Sequence, residues 1–407
     1  MLHRSRPVYR RQFDDADFQF GFEIALGATC HGAADVGEVL VTAERIHDKD
    51  ADSWVREWTA TAEAVESSMQ AAVESGRRVS ALAHGRRAAT YFSTALYAID
   101  HSKEAGNKLD LWRRQRACWD QIVDLSHGER ISIPYEDTTL PGFFFRAPGA
   151  APGEPRPLVV VNNGSDGPTS HMWVQGGAAA AARGYHWMTF DGPGQQAALF
   201  EQNIPFRPDW EAVLTPVVDA LSGREDVDAA RLAVIGVSQA GYWVPRALAF
   251  EHRFAAAVAD PGVVDVSTSW TEHLPKSMRE ELDKGEREKF DRNMRIGEVF
   301  DKSAKALLAF RGEPYGLKSD SPYDLYKAVD AYKLGDEVGQ IDTPLLITDP
   351  EGEQFWPGQS QQLFDRLRGD KELAHFKEAD GAGRHCEPMA PAQRDARVFD
   401  WLDGYLS

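Results

Sequence analysis

A chain of 407 residues, 43% hydrophobic and 27% charged, carries enough apolar material for one large or two moderate cores. Its 63 acidic residues against 45 basic ones, a formal net charge of −18, argue against a nucleic-acid polyanion or an anionic membrane surface as partner. Cys30, Cys118 and Cys386 are odd in number and far apart, fit no disulfide framework, and suit a reducing cytoplasm. No stretch has the apolar length of a signal peptide or a membrane span, so a cytoplasmic chain is expected.

Up to about residue 128 the pattern is helical. Trp54, Trp58, Ala62, Val65, Met69 and Ala72 recur at three- and four-residue steps, one apolar stripe on a long helix. RRAATYFSTALYAID and LDLWRRQRACWDQIVDL read as two more helices. After residue 128 strands and helices alternate. ISIPYE and LPGFFFRAP form a hairpin, and PLVVVNN suits a buried parallel strand. HMWVQGGAAAAARG is a helix, YHWMTFDGPGQQ a strand with its loop, and DWEAVLTPVVDALSG a helix. RLAVIGVS is a strand followed by the helix QAGYWVPRALAFE, and FAAAVADPG and TPLLITDP are further strands. The helix GQSQQLFDRLRG, the strand AHFKEAD and the helix AQRDARVFDWLDGYL complete the alternation. Such spacing implies a mostly parallel sheet with helices on both faces. Residues 266–340, rich in Glu, Lys, Asp and Arg, interrupt it as a helical insertion placed to act as a lid. Two units are therefore expected, a helical one over 1–128 and an α/β one over 129–407.

Chemistry concentrates in three loops. The strand ending at Ile235 runs into Gly236-Val237-Ser238-Gln239-Ala240-Gly241 and then into a helix. Small residues flank the serine because a tight strand-to-helix turn brings main chain and helix into near contact, and the turn lifts the hydroxyl above the sheet. The amide of Gln239, at the helix start, is a candidate oxyanion donor. Asn162-Asn163-Gly164-Ser165 follows the PLVVVNN strand, which makes the Ser165 amide the second candidate. His385 lies in the glycine-rich DGAGRHCEP, after the last strand, where an imidazole can reach over a nucleophile and take its proton. Asp349, Glu351 and Glu353 all lie between the nucleophile and this histidine in the chain. Asp191-Gly192-Pro193-Gly194-Gln195-Gln196 lacks the Gly-Lys-Ser/Thr ending of a phosphate loop and reads as a tight structural turn. No metal-ligand spacing is present, and no cofactor is implied.

DGPGQ, the GVSQAG elbow, EQFWPGQS and GAGRHCE together resemble α/β-hydrolases with a helical N-terminal domain. These include dihydroxypseudooxynicotine hydrolase, the fungal polyketide-shortening hydrolases of pigment synthesis and the FrsA-like esterases. The resemblance spans the chain, with specific motifs only after residue 160. It implies an α/β-hydrolase fold, Ser238 as nucleophile, His385 as base and Glu353 as acid, with Glu351 the alternative. It also implies a homodimer and a substrate enclosed between the helical domain and the sheet. The chain departs from the family in having a glutamate where aspartate is commoner, and Asn163-Gly164 where the oxyanion loop usually reads Gly-Gly.

The expected activity is cleavage of an acyl bond, either a carbon–carbon bond beside a ketone or an ester, in a small, partly aromatic or polyketide-like molecule. A carboxylesterase or lactonase is the second reading, a peptidase a weaker one, and a non-catalytic scaffold of the same fold a third. The last is disfavoured because a scaffold has no need to keep serine, acid and histidine in order.

Overall fold

The protein's computed structural model describes residues 11–300 and 308–407. Residues 1–10 of the helical unit and 301–307 of the insertion lie outside the described residues. Eight strands form one sheet: β1 Glu129–Tyr135, β2 Thr138–Phe145, β3 Arg156–Asn162, β4 His186–Phe190, β5 Val227–Val237, β6 Ala256–Asp260, β7 Leu345–Pro350 and β8 Lys371–Phe376. Their order is β1-β2-β4-β3-β5-β6-β7-β8, with β1/β2 and β2/β4 antiparallel and every other pair parallel. From β3 the chain crosses one way to β4 and then back past β3 to β5. The crevice between the carboxyl ends of β3 and β5 is therefore the switch point at which open α/β sheets bind ligands.

The two-residue period of the strands sorts their side chains into two cores. Leu158 and Val160 of β3 and Leu232 and Val234 of β5 face a core shared with Trp210, Trp243 and the insertion. Val159, Val161, Ala233 and Ile235 face the opposite way, into a core that also holds Trp54, Trp58, Trp119 and Phe399. Beside the C-terminal helix Pro391–Leu406 that carries Phe399, five N-terminal helices line that side: α1 Ala16–Gly27, α2 Val36–Arg45, α3 Ala51–Glu74, α4 Arg78–Leu96 and α5 Lys108–Leu125. Trp119 of α5 packs on Phe143 and Phe145 of β2 with ring centroids 5.8 and 5.6 Å apart. The helical segment thus closes over one face of the sheet through a continuous apolar contact.

Three local differences from the sequence expectation have physical causes. Helix α1 carries no amphipathic stripe. Nearly every face of α1 is buried, so its apolar residues show no periodicity; Asp15 caps it by accepting from the amides of Asp17 and Phe18. The helix expected over HMWVQGGAAAAARG is broken into a 3-10 turn, Thr169–Trp173, and a short helix, Gly177–Ala182. Gly177 lies against the Trp187 indole, where a Cβ would come within 2.8 Å. Finally, β8 starts at Lys371, before AHFKEAD, and its register with β7 ends at Phe376, so Glu378–Asp380 form a 3-10 turn. The insertion is helical over Thr268–Thr271, Lys276–Lys284, Arg287–Phe300 and Pro322–Val329. Most charged side chains of its described residues face outward, buried Glu281 excepted, while Trp270, Tyr315 and Tyr326 form an edge-to-face aromatic cluster beneath them.

Candidate active site

The turn after β5 is forced by close contacts. A Cβ on Gly236 would lie 2.4 Å from the Ala240 carbonyl oxygen, and one on Gly241 1.8 Å from that of Pro261. Ser238 between them has φ +59°, a left-handed conformation costing about 1–3 kcal/mol for a non-glycine residue. Its amide donates to the Asp260 carbonyl at 2.6 Å, which fixes the strained residue to the end of β6. The Ser238 hydroxyl is thereby carried to the switch point, at the start of helix Ala240–Leu248.

His385, from the loop after β8, meets this hydroxyl. Its Nε2 is 2.8 Å from Ser238 Oγ, and its Nδ1 is 2.9 and 3.0 Å from the two carboxylate oxygens of Glu353. A carboxylate only accepts, so Nδ1 bears the hydrogen and donates; Nε2 is left with a lone pair toward the serine proton. The side chains of His385 and Glu353 are each only 5% exposed, so little water screens the pair. Burial pushes the Glu353 carboxyl up, but His385 and the amides of Phe355 and Trp356 outweigh it and hold the group below its ordinary value. Glu351 is exposed and accepts from the Glu378 amide at 3.0 Å, and Asp349 pairs with His375 at 2.8 Å. Of the three acids in this loop, only Glu353 touches His385.

The other wall is the loop after β3. A Cβ on Gly164 would lie 2.8 Å from Ser238 Cβ and 3.3 Å from its Oγ, so main chain approaches the hydroxyl directly. The Gly164 amide donates to Asn163 Oδ1 at 2.8 Å. That leaves the amide of half-buried Ser165 as the next candidate donor along the loop. Gln195 braces the loop. Its Nε2 donates to the carbonyls of Asn163 and Gly164 at 2.8 and 2.7 Å, while its Oε1 accepts from the Gly192 amide. DGPGQ is a tight turn, as its composition implies, and its Gln195 also holds the loop after β3; nothing in its spacing points to that second role.

Aromatic rings enclose the imidazole. Phe355 and Trp356 lie 4.7 and 5.7 Å from it, and Phe20, on α1, lies 6.3 Å away. From the insertion, Arg311 sits 5.8 Å over the Phe355 ring and Tyr315 adjoins the Gln239 side chain. Beside the loop, Arg116 of α5 donates to Asp191 at 2.8 Å; burial pushes this carboxyl up and Arg116 acts against that. Trp54 and Trp58 of α3 and Trp119 of α5 are core, while Trp112 of α5, also buried, packs on Phe200 with ring centroids 5.2 Å apart. Among the described residues no His, Cys, Asp and Glu group is arranged to hold a metal, and no helix is long and apolar enough to cross a membrane.

Residues 214–314 match the Prolyl oligopeptidase family. The chain is 32% identical to Hydrolase acrC of Aspergillus aculeatus over 95% of its own length and 96% of that protein's. It belongs to the α/β-hydrolase family. This hydrolase is also 27% identical to 20-hydroxy-prefusarin hydrolase of Gibberella moniliformis, over 95% of this chain and 96% of the other. The crystal structure of 2,6-dihydroxy-pseudo-oxynicotine hydrolase superposes with a TM-score of 0.72 at 19% identity, covering 93% of this chain and 95% of that one. At that identity the likeness concerns the fold, and it extends over the helical segment. The family membership makes the chain an enzyme.

Proposed function

We propose that this hydrolase cleaves an acyl bond in a small, partly aromatic, polyketide-like molecule through Ser238, His385 and Glu353. The observation that carries the reading is the unbroken relay from Glu353 through His385 to Ser238, at the switch point of the sheet and beside two candidate oxyanion amides. A scaffold without catalysis would have no use for that relay. Ser238 Oγ attacks the acyl carbon while His385 Nε2 takes its proton, and Glu353 stabilises the imidazolium. The amides of Gln239 and Ser165 receive the developing oxyanion. The tetrahedral adduct then breaks, the leaving oxygen or carbon takes the proton from His385, and water attacks the acyl serine by the same route in reverse. A leaving carbon has to be stabilised by an adjacent carbonyl or an electron-poor ring, which the substrate provides.

The substrate class is supported by the aromatic walls around His385 and by the likeness to 20-hydroxy-prefusarin hydrolase. Phe20 from the first unit and Arg311 and Tyr315 from the insertion border the site. In this reading residues 1–128 and 266–340 are two covers over one pocket on the 129–407 unit. A cytoplasmic setting and a homodimer belong to the same reading.

The test compares wild type and Ser238→Ala on nitrophenyl esters, acyl-phenols and β-diketones, alongside labelling by a fluorophosphonate. Wild type should label at Ser238 and turn over one of the carbon-acyl sets faster than the esters. Ser238→Ala should lose labelling and about 10⁴-fold or more in kcat while remaining folded. A folded variant that keeps its rate overturns the reading.

A further inference from the structure

Two buried carboxyl groups lie beneath the site and take no part in the relay just proposed. Asp260 ends β6, and Glu387 follows His385 by two residues; both are essentially without solvent exposure. Asp260 is where the loops converge. Its carbonyl accepts from the Ser238 amide at 2.6 Å and from Cys386 Sγ at 3.2 Å, and its Oδ1 accepts from Thr348 Oγ1 of β7 at 2.8 Å.

Glu387 is held in place by its main chain. Its amide donates to the Arg384 carbonyl, and its carbonyl accepts from the Ala390 amide, each at 2.9 Å. Cys386 and Glu387 have φ of +56° and +45°, so two successive non-glycine residues adopt a left-handed conformation that their surroundings impose. Neither carboxyl oxygen of Glu387 has an N–H or O–H donor within hydrogen-bond reach. Arg394 is near, but its guanidinium donates to the carbonyls of Val174 and Cys386, to Gln175 and to Asp395. The group facing Glu387 is the Asp260 carboxyl. A fully buried carboxylate that accepts nothing is too costly to persist, and two carboxyls abut only when a proton lies between them.

We propose that Glu387 keeps its proton and donates it to the Asp260 carboxylate, and that this link positions the His385 loop against the Ser238 elbow. Both are positioning residues: Asp260 holds the nucleophile's amide, Glu387 extends the histidine's loop, and the shared proton joins them. The proposal builds on the serine hydrolase reading, but its stability arm needs no turnover.

Burial pushes the Glu387 carboxyl well above its ordinary value and pushes Asp260 up as well; Arg394 acts the other way on both. The remaining charged neighbours are Glu353 toward Glu387 and His385 toward Asp260. Below the ordinary glutamate value of 4.5, folded and unfolded chains both hold the Glu387 proton. Above it the unfolded chain releases the proton and the folded chain does not, so rising pH favours unfolding of the wild type at this position.

Glu387→Gln retains an N–H donor toward Asp260 and has no proton to lose. Its melting temperature should lie near wild type at about pH 5 and rise above it progressively toward about pH 9, with kcat kept within about threefold. The alkaline fall in wild-type kcat/KM caused by ionising the pair should be absent in this variant. Glu387→Ala removes the donor and should lose at least about tenfold in kcat with KM little changed. If Glu387→Gln does not fold, Asp260→Asn serves instead: its amide N–H donates to Glu387, which then ionises in the folded chain as in the unfolded one, so its melting temperature should gain on wild type with rising pH. Melting curves that run parallel to wild type at every pH overturn the shared proton. A folded Glu387→Gln as impaired in kcat as Glu387→Ala overturns the positioning role. Should wild type show no Ser238 labelling while the stability arm behaves as described, the catalytic reading fails and the buried link stands.

Discussion

Replacing Glu353 by glutamine removes a charge and leaves the loop nearly unchanged in shape. The carboxylate oxygens lie 2.9 and 3.0 Å from His385 Nδ1, and both side chains are 5% exposed. Proton transfer from Ser238 makes the imidazole a cation at that distance. With an effective dielectric constant of about 20, two unit charges about 3 Å apart attract by roughly 5.5 kcal/mol. Because each 1.36 kcal/mol is tenfold in rate, the loss in Glu353→Gln is about four powers of ten in kcat. The amide can also present its NH₂ to Nδ1 and favour the wrong tautomer, which acts in the same direction. The assay is steady-state hydrolysis of the best ester or diketone substrate, with circular dichroism and melting temperature as folding controls. Glu351→Gln, whose carboxylate faces the Glu378 amide, should stay within about threefold of wild type. A loss below about tenfold in folded Glu353→Gln, or an equal loss in Glu351→Gln, would refute the assignment of the acid.

Gly164→Ala would place a methyl group 2.8 Å from Ser238 Cβ and 2.9 Å from the Val237 carbonyl oxygen. The loop after β3 must then retreat, and kcat should fall by about 10²-fold or more while urea unfolding shows a loss of only about 1–3 kcal/mol. Arg116→Ala leaves Asp191, with no side-chain exposure, buried without its cation. Stability should fall by about 3–5 kcal/mol in urea titration, and Asp191→Asn in the same background should recover part of it. Glu353, held below its ordinary 4.5, takes up its proton on unfolding in acid. Its contribution is therefore present above about pH 4.5 and lost as pH falls through the lower folded value, so wild type should approach Glu353→Gln in melting temperature as the solution is acidified.

Much of this architecture could be read from short stretches of chain. A buried strand run followed by small residues around a serine specifies a tight turn, because the closeness of Gly236 to Ala240 is a contact between near neighbours. The strands after residue 128 were legible for the same reason, since two-residue alternation and unbroken apolar runs are local patterns. Helix α1 was not, because burial on nearly all sides erases the amphipathic stripe that marks a helix. The residues alone narrow the acid to one loop, and the family resemblance puts Glu353 ahead of Glu351. Glu351 and Glu353 are two residues apart, and the amides of Phe355 and Trp356 turn only the second carboxylate toward His385.

What the sequence by itself determined was the order of strands and helices, the turn that exposes Ser238, and the loops in which its partners had to be sought. Those features depend on steric limits and burial patterns acting over a few residues. Tertiary structure alone decided that Gln195 braces the loop at Gly164 and that Phe20 reaches His385 from a helix 365 residues away. It also decided that Arg116 neutralises Asp191 and that Asp260 and Glu387 face each other under the site. Each of these is a contact between residues remote in the chain, made when strand order brings their loops to one edge of the sheet, and no local pattern of residues encodes which partner will be there.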